Sequence, residues 1–262
     1  MLKAETFLRS EAVEQAFLAV PRHLFLPHLS AQEAYKNENI PTKYSSNGEV
    51  ISSASHPGVV ADILEKLDLA LGQRVLEIGA GTGFNAALLA NLVGEEGKVV
   101  SLEYDGDAAA QAGKNLESAG VENVEVLQAD GHFGFETLAP YDRIVMSTSS
   151  FDVYPAWFHQ LREGGLLGLA LRFSSKMATF VIFEKRSDYL ISQSGVQAAF
   201  MPMRGAAANV VQDEGEDLLH ARIEAGETFS RILVYLSATA LPQSDKQIVM
   251  EREHATFVFQ WD

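Results

Sequence analysis

Three glycines spaced by two, Gly79, Gly81 and Gly83, follow the short apolar run Val75, Leu76 and Ile78 and precede the helical pattern Ala86, Ala87, Leu88, Leu89 and Leu92. Strand, glycine turn and helix open a nucleotide-binding α/β unit. Glycine there permits positive φ and removes the Cβ atoms that would hold a ligand off the backbone, and the helix N-terminus offers free N–H groups. Glu103, about 20 residues further on, is spaced to accept hydrogen bonds from two ribose hydroxyls. Asp130, beside Gly131, is placed to accept from an adenine amino group. The spacing differs from the G-x-G-x-x-G of a pyrophosphate fingerprint, and Glu77 just before the turn repels phosphate but suits a cation. A sulfonium, an amino group, a ribose and an adenine without phosphate describe S-adenosyl-L-methionine. Its expected contacts are Glu77, Gly79, Ala80, Gly81, Thr82, Gly83, Asn85, Glu103, Tyr104, Asp130 and Gly131.

The elements that must position these residues alternate in type. A helical pattern spans Thr6 to Val20 and ends at Pro21. Ala34 to Ser55 reads as a polar, turn-rich loop rather than a helix or long strand. A helix opening at Ser55 or Pro57 runs through Leu67. Strands are expected over Arg74–Ile78, Lys98–Leu102, Val124–Gln128, Tyr141–Ser147 and Gly165–Leu171, with helices at Ala108–Ala119 and Pro155–Leu161. Thr179–Glu184 and Tyr189–Ser192 form a hairpin around Arg186, Ser187 and Asp188. Ile232–Leu236 and Thr256–Phe259 are two further candidate strands, and Asp213–Asp217 an acidic loop. Strands alternating with helices imply an α/β, Rossmann-like, mainly parallel sheet with helices on both faces. We expect a methyl-transfer-type cofactor domain over 1–196 and a C-terminal extension over 197–262 packed on it.

Composition narrows the function. The 262 residues suffice for a full core, and 47% hydrophobic with 21% charged residues is ordinary for a soluble globular chain. A formal net charge of −15 argues against general nucleic-acid binding, which needs concentrated Lys and Arg. With no cysteine, disulfides, thiolate metal sites and cysteine nucleophiles are excluded. No carboxylate–His spacing suggests a metal site. The N-terminal residues lack a signal-peptide core and no apolar run is long enough for a membrane span; the expectation is a cytoplasmic protein.

From about Val20 to Ala170 the chain resembles the protein-L-isoaspartate O-methyltransferases. The matching pieces are V-P-R-H-L-F-L-P, S-H-P-G-V-V-A from Ser55, V-L-E-I-G-A-G-T-G-F-N-A-A-L-L-A, A-D-G-H-F-G from Ala129, A-P-Y-D-R-I from Ala139 and Q-L-R-E-G-G from Gln160. The resemblance implies a cofactor site at the glycine turn, the acid after the second strand and the D-G pair. It also implies a hydroxyl residue in an S-x-P motif next to the acceptor carboxylate. The family's compact G-x-x-I-S-x-P run is stretched here: counting from Gly48 favours Ser52, and counting back from Pro57 favours Ser55, which we prefer. Ser53, His56 and Arg204 are the accompanying candidates for substrate contact. The family's A-A-A-P after the fourth strand is replaced by Ser147, Thr148, Ser149, Ser150 and Phe151, a more polar rim. F-M-P-M-R-G in the extension resembles isoaspartyl-methyltransferase-like enzymes found with ribosomally made, modified peptides.

A carboxylate is ionised at neutral pH and needs no general base to attack a sulfonium methyl; approach, alignment and exclusion of water are what a site must supply. The Ser55 hydroxyl is then an orienting donor, with a plain helix N-cap as its structural alternative. The implied activity is methyl esterification of a peptide or protein carboxylate, first the α-carboxyl of L-isoaspartyl residues, an ester that cyclises to succinimide and serves repair. The alternatives are an enzyme esterifying an Asp side chain in one modified peptide, an NAD-dependent oxidoreductase, and a cofactor-binding protein without catalysis.

Overall fold

Ser10 accepts a hydrogen bond from the Val13 N–H and starts helix α1 (Glu11–Ala19), shorter at its start than the sequence pattern. The computed structural model describes residues 7–173, 178–196, 198, 200–208, 230–236, 241 and 247–261. A 3-10 turn at Arg22–Phe25 follows Pro21, and a capping box of Ser30 and Glu33 starts the one-turn helix α2 (Ala31–Ala34).

The segment expected as loop contains a hairpin, β1 (Ile40–Tyr44) and β2 (Val50–Ala54), turning at Ser45–Gly48 with Gly48 at φ 84°. Its serines hid it. The strands are five residues each, their register is broken twice, and among the described residues they pair only with each other. Helix α3 (Pro57–Leu67) then opens on Pro57 at its first position, where proline is tolerated.

Next come β3 (Arg74–Ile78), α4 (Phe84–Val93), β4 (Lys98–Glu103), α5 (Gly106–Ser118), β5 (Val124–Gln128), β6 (Tyr141–Ser150), α6 (Pro155–Gln160) and β7 (Leu161–Arg172). They are followed by β8 (Ala178–Arg186), β9 (Tyr189–Val196), β10 (Arg231–Tyr235), β11 (Gln247–Glu251) and β12 (Thr256–Gln260). One ten-stranded sheet runs β11-β12-β10-β9-β8-β7-β6-β3-β4-β5. From β7 to β5 every pairing is parallel, and from β7 outward to β11 every pairing is antiparallel. The hairpin at Arg186–Asp188 is as expected, whereas β11 was not anticipated, and the acidic stretch 213–217 lies outside the described residues.

Two apolar clusters lie against this sheet. One gathers α1, α3 and α4 with Val75, Val99 and Val145; the other gathers α6 with Leu76, Ile144, Leu167 and the C-terminal strands. Full burial of Leu88 and Leu89 in α4, at about 1.5–3 kcal/mol per large side chain, fixes the helix behind the glycine turn. The chain order reverses between β3 and β6. In open α/β sheets that crevice, outside the carboxyl ends of the strands, is where ligands bind.

Candidate active site

A cavity of about 300 Å³ opens at that crevice. Its floor is formed by Gly79 and Gly81 of the glycine turn, in which Gly79, Gly81 and Gly83 have φ of 99°, 55° and 86°. The three glycines have different jobs. A Cβ on Gly81 would meet nothing within 4 Å, so that position faces open space in the cavity. A Cβ on Gly83 would press on the Ala112 carbonyl and Leu116 of α5, so Gly83 serves helix packing and does not line the cavity. At Gly79 a Cβ would stand 3.0 Å from the Thr148 methyl.

On the β4–β5 side the wall is Leu102, Glu103, Tyr104, Ala129 and Gly131. Glu103 is 8% exposed; its Oε2 accepts from the Gly81 N–H at 3.0 Å and its Oε1 from the Asp105 N–H at 3.1 Å. A carboxylate offers about four lone-pair positions, so two remain for a vicinal diol. Ala80, Thr82 and Asn85 also line the cavity. Arg204, proposed for the substrate carboxylate, instead turns to this side. Its guanidinium stands 3.7 Å from Glu103 and 3.9 Å from Asp105, over the Tyr104 ring.

Two expected cofactor acids lie behind the wall. Glu77 is fully buried, and its carboxylate accepts from Ser101 Oγ, Asn85 Nδ2 at 2.7 Å and Ser147 Oγ at 3.4 Å. Burial pushes it up to about 7, against the opposing effect of those donors. It therefore orients Asn85 and Ser147, which do line the cavity, rather than meeting a ligand itself. Asp130 accepts from the His132 N–H at 3.0 Å and from the Ala206 N–H at 2.9 Å. Its carboxylate is turned to residues 205–206, and only its neighbours Ala129 and Gly131 reach the cavity.

The hairpin and its flanks add Asn39, Ile51, Ser52, Ser53, Ala54 and Ser55 to the lining, and β6 adds Ser147 and Thr148. Both candidate serines and Ser53 thus share one cavity. Ser52 Oγ accepts from Thr42 Oγ1 at 3.0 Å, which leaves its own proton to donate. Ser55 is not the helix cap: that position belongs to His56, whose backbone N–H is held by Asn39 Oδ1 at 2.7 Å. The Ser55 hydroxyl has no protein partner among the described residues, and its carbonyl accepts from Arg22 Nη2 at 3.1 Å. The His56 ring does not line the cavity; it stands edge-on to Phe7 with Nδ1 buried and unpartnered.

Several lining or supporting residues escaped the sequence reading. Arg22, 2% exposed, lies across the Phe84 ring and bonds the Ala34 and Ser55 carbonyls; V-P-R-H-L-F was its signal. Asp105 caps α5 and accepts from Lys43 at 2.6 Å, which ties the hairpin to the end of β4. Phe200, Met201, Pro202 and Met203 close the cavity as a strap. Ser149 N–H donates to the Met201 carbonyl at 2.8 Å, and Met203 N–H to the Ser149 carbonyl at 2.9 Å.

This donor set fits an adenosyl cation better than a phosphate ligand. An unobstructed glycine, a buried acid with two spare acceptor positions and one already paired arginine form the wall. No helix among the described residues is long and apolar enough to cross a membrane, and no three His, Asp or Glu among them could hold a metal.

The family model for protein-L-isoaspartate(D-aspartate) O-methyltransferase matches residues 1–208. The chain is 36% identical over 205 residues to protein-L-isoaspartate O-methyltransferase of Thermotoga maritima, covering 78% of this chain and 64% of that relative. It is 38% identical over 196 residues to protein-L-isoaspartate O-methyltransferase 1 of Archaeoglobus fulgidus, covering 75% of this chain and 87% of the relative. The chain thus spans just under two thirds of the first relative's length and most of the second's. A solved protein-L-isoaspartate O-methyltransferase superposes with a TM-score of 0.74 at 26% identity, covering all of this chain and 86% of the other.

Proposed function

The chain belongs to the protein-L-isoaspartate O-methyltransferase family, and on that premise we propose that it methylates the α-carboxyl of L-isoaspartyl residues in peptides and proteins, using S-adenosyl-L-methionine. The observation that carries this reading is one cavity lined both by Glu103 and the open Gly81 and by three serines, Ser52, Ser53 and Ser55. Neither hydride transfer to a nicotinamide nor tailoring of a single peptide draws support from the relatives.

When bound, S-adenosyl-L-methionine supplies an electrophilic methyl: the carboxylate O–C bond forms as the S–C bond breaks, and its electron pair returns to sulfur. The protein's own task is placement. The acceptor carboxylate is already ionised at neutral pH, so no residue need take a proton. Ser55 and Ser52 donate to it, Ser55 being held through its carbonyl by Arg22. The strap and hairpin exclude water, which strengthens every polar contact inside. Gly81 and Glu103 hold the adenosyl end, and Glu77 keeps Asn85 and Ser147 in place from beneath.

The test is mass spectrometry on paired peptides that differ only in Asp or isoAsp. A gain of one methylene on the isoAsp peptide alone, across unrelated sequences, is expected. Methylation of the Asp peptide only, or of one sequence only, overturns the assigned substrate.

A further inference from the structure

We infer that Asp105 is a positioning residue that fastens the hairpin and the strap together beside the cavity, and so couples occupancy of the adenosyl site to binding of the peptide. This deepens the proposed function and rests on it.

The two oxygens of Asp105 have separate tasks. Oδ1 accepts from the Ala108 N–H at 3.0 Å and caps α5. Oδ2 faces two cations, Lys43 Nζ at 2.6 Å and Arg204 Nη1 at 3.9 Å. Capping needs only one oxygen, and a neutral asparagine caps as well; the charge on Oδ2 is surplus to it. The Lys43 ammonium and then the Ala108 N–H hold this carboxyl below the usual carboxylate range, with Arg204 adding to them. Asp105 is therefore ionised at neutral pH.

Each cation belongs to a segment that lines the cavity. Lys43 stands opposite Ser52 in the hairpin register, and the hydroxyl of its neighbour Thr42 donates to Ser52 Oγ. Among the described residues the hairpin strands pair only with each other, so no ladder to the main sheet sets where their serines stand. The Lys43–Asp105 pair does so at one point, and the Arg22 bond to the Ser55 carbonyl at another. The strap is bonded to Ser149 by backbone and hydroxyl and, just past Arg204, to Asp130 through the Ala206 N–H. Between those ties Arg204 crosses the Tyr104 ring to reach Glu103 and Asp105. Hairpin, strap and the end of β4 thus meet at one carboxylate oxygen.

The coupling follows from what lies next to it. Glu103 Oε1 accepts from the Asp105 N–H at 3.1 Å, and Arg204 Nη2 approaches the same oxygen at 3.7 Å. A ribose diol bound to Glu103 competes with Arg204 there and leaves Asp105 as its carboxylate. Both cover segments are then tied to Oδ2 before the peptide arrives. A ligand that orders what a second ligand also needs ordered lowers the cost of the second binding. Without the carboxylate the two cations face each other and repel, so the fastening opens rather than merely loosening.

The experiment measures the affinity of the full chain for an isoAsp peptide by calorimetry, without ligand and at saturating S-adenosyl-L-homocysteine. In wild type the ligand should tighten the peptide about ten-fold. In Asp105→Asn, which keeps the cap, that ratio should fall to about two-fold, with affinity for S-adenosyl-L-homocysteine alone within about three-fold of wild type. Lys43→Gln and Arg204→Gln should each lose part of the ratio, and adding Lys43→Gln to Asp105→Asn should lose nothing more. A merely structural role lowers both peptide affinities by one factor and leaves the ratio alone. That result overturns the inference, as does a wild type with no coupling. Where the ligand-free protein binds peptide too weakly to measure, the affinity for S-adenosyl-L-homocysteine with and without peptide gives the same ratio by linkage. If the Asn variant does not fold, the Lys43 and Arg204 variants decide the matter from the other side. If the wild type methylates an Asp peptide in place of the isoAsp one, the proposed substrate falls, and the ratio measured with that peptide still decides the role of Asp105.

Discussion

Glu77→Gln should make the ligand-free protein more stable at alkaline than at acid pH relative to wild type, by an amount set by the burial of this carboxylate. Glu77 has no solvent exposure and its ionisation is pushed from 4.5 to about 7, burial outweighing the donors Ser101, Asn85 and Ser147. A folded-state value above the unfolded one means that this group's contribution is fully present below about pH 4.5 and lost as pH rises through about 7. At about 1.4 kcal/mol per pH unit, the limiting loss is about 3 kcal/mol, of which about 2.5 kcal/mol falls between about pH 5 and pH 8. Glutamine accepts at Oε1 from Asn85 and Ser147 and donates at Nε2 to the Ser101 oxygen, so any cost of the exchange is independent of pH. Urea unfolding of both proteins at the two pH values isolates the group, because Asp152, also pushed up by burial to about 6, cancels in the difference. A wild-type minus variant difference that stays flat within about 0.5 kcal/mol, the size of an ordinary surface substitution, would refute the argument.

Four other outcomes follow from the same geometry. Gly81→Ala, at φ 55° with open space around it, should cost only about 1 kcal/mol in thermal unfolding yet weaken S-adenosyl-L-homocysteine binding by roughly ten-fold or more, about 1.4 kcal/mol, in calorimetry. Gly131→Ala places a Cβ 2.3 Å from Ile78 Cγ2 and 3.2 Å from Met203, so it should destabilise by about 1–3 kcal/mol, read by urea midpoint. Asp105→Asn removes the charge facing Lys43 and Arg204; ligand affinity in the variant should lose part of the salt dependence seen in wild type, while asparagine still caps α5. Ser55→Ala should leave cofactor affinity intact and lower methyl transfer to the isoAsp peptide about ten-fold, the worth of one hydrogen bond to a charged group; unchanged turnover would remove Ser55 from the acceptor site.

What could be read from the sequence was whatever is built locally. The strand, glycine turn and helix at Arg74–Val93 lie in one stretch, with an apolar run and three glycines whose conformations no other residue adopts easily. The hairpin at Ile40–Ala54 was unreadable for the opposite reason. Its strands bury little, carry serine where β-branched residues are usual, and are held by contacts such as Lys43 to Asp105, 62 residues away. β11 was missed because its five residues, Gln247–Glu251, make sense as a strand only once β12 lies beside them.

The same distinction separates the two halves of the site. The proposed adenosyl end rests on residues at the ends of consecutive strands, so spacing alone singled out Glu103 as a cavity wall, although it could not reveal that Glu77 and Asp130 already have partners supplied by the protein. The rest of the cavity is lined from three segments far apart in the chain: the hairpin, β6 and the strap. Each is unremarkable alone. Ser149 illustrates the point, since its meaning lies in bonds to Phe200, Met201 and Met203, some 51 residues away at Phe200. Residues that bind the common cofactor can be placed on one contiguous unit, whereas an acceptor pocket must be closed from several sides. Its lining therefore becomes legible only when the hairpin, β6 and the strap are brought together around one cavity.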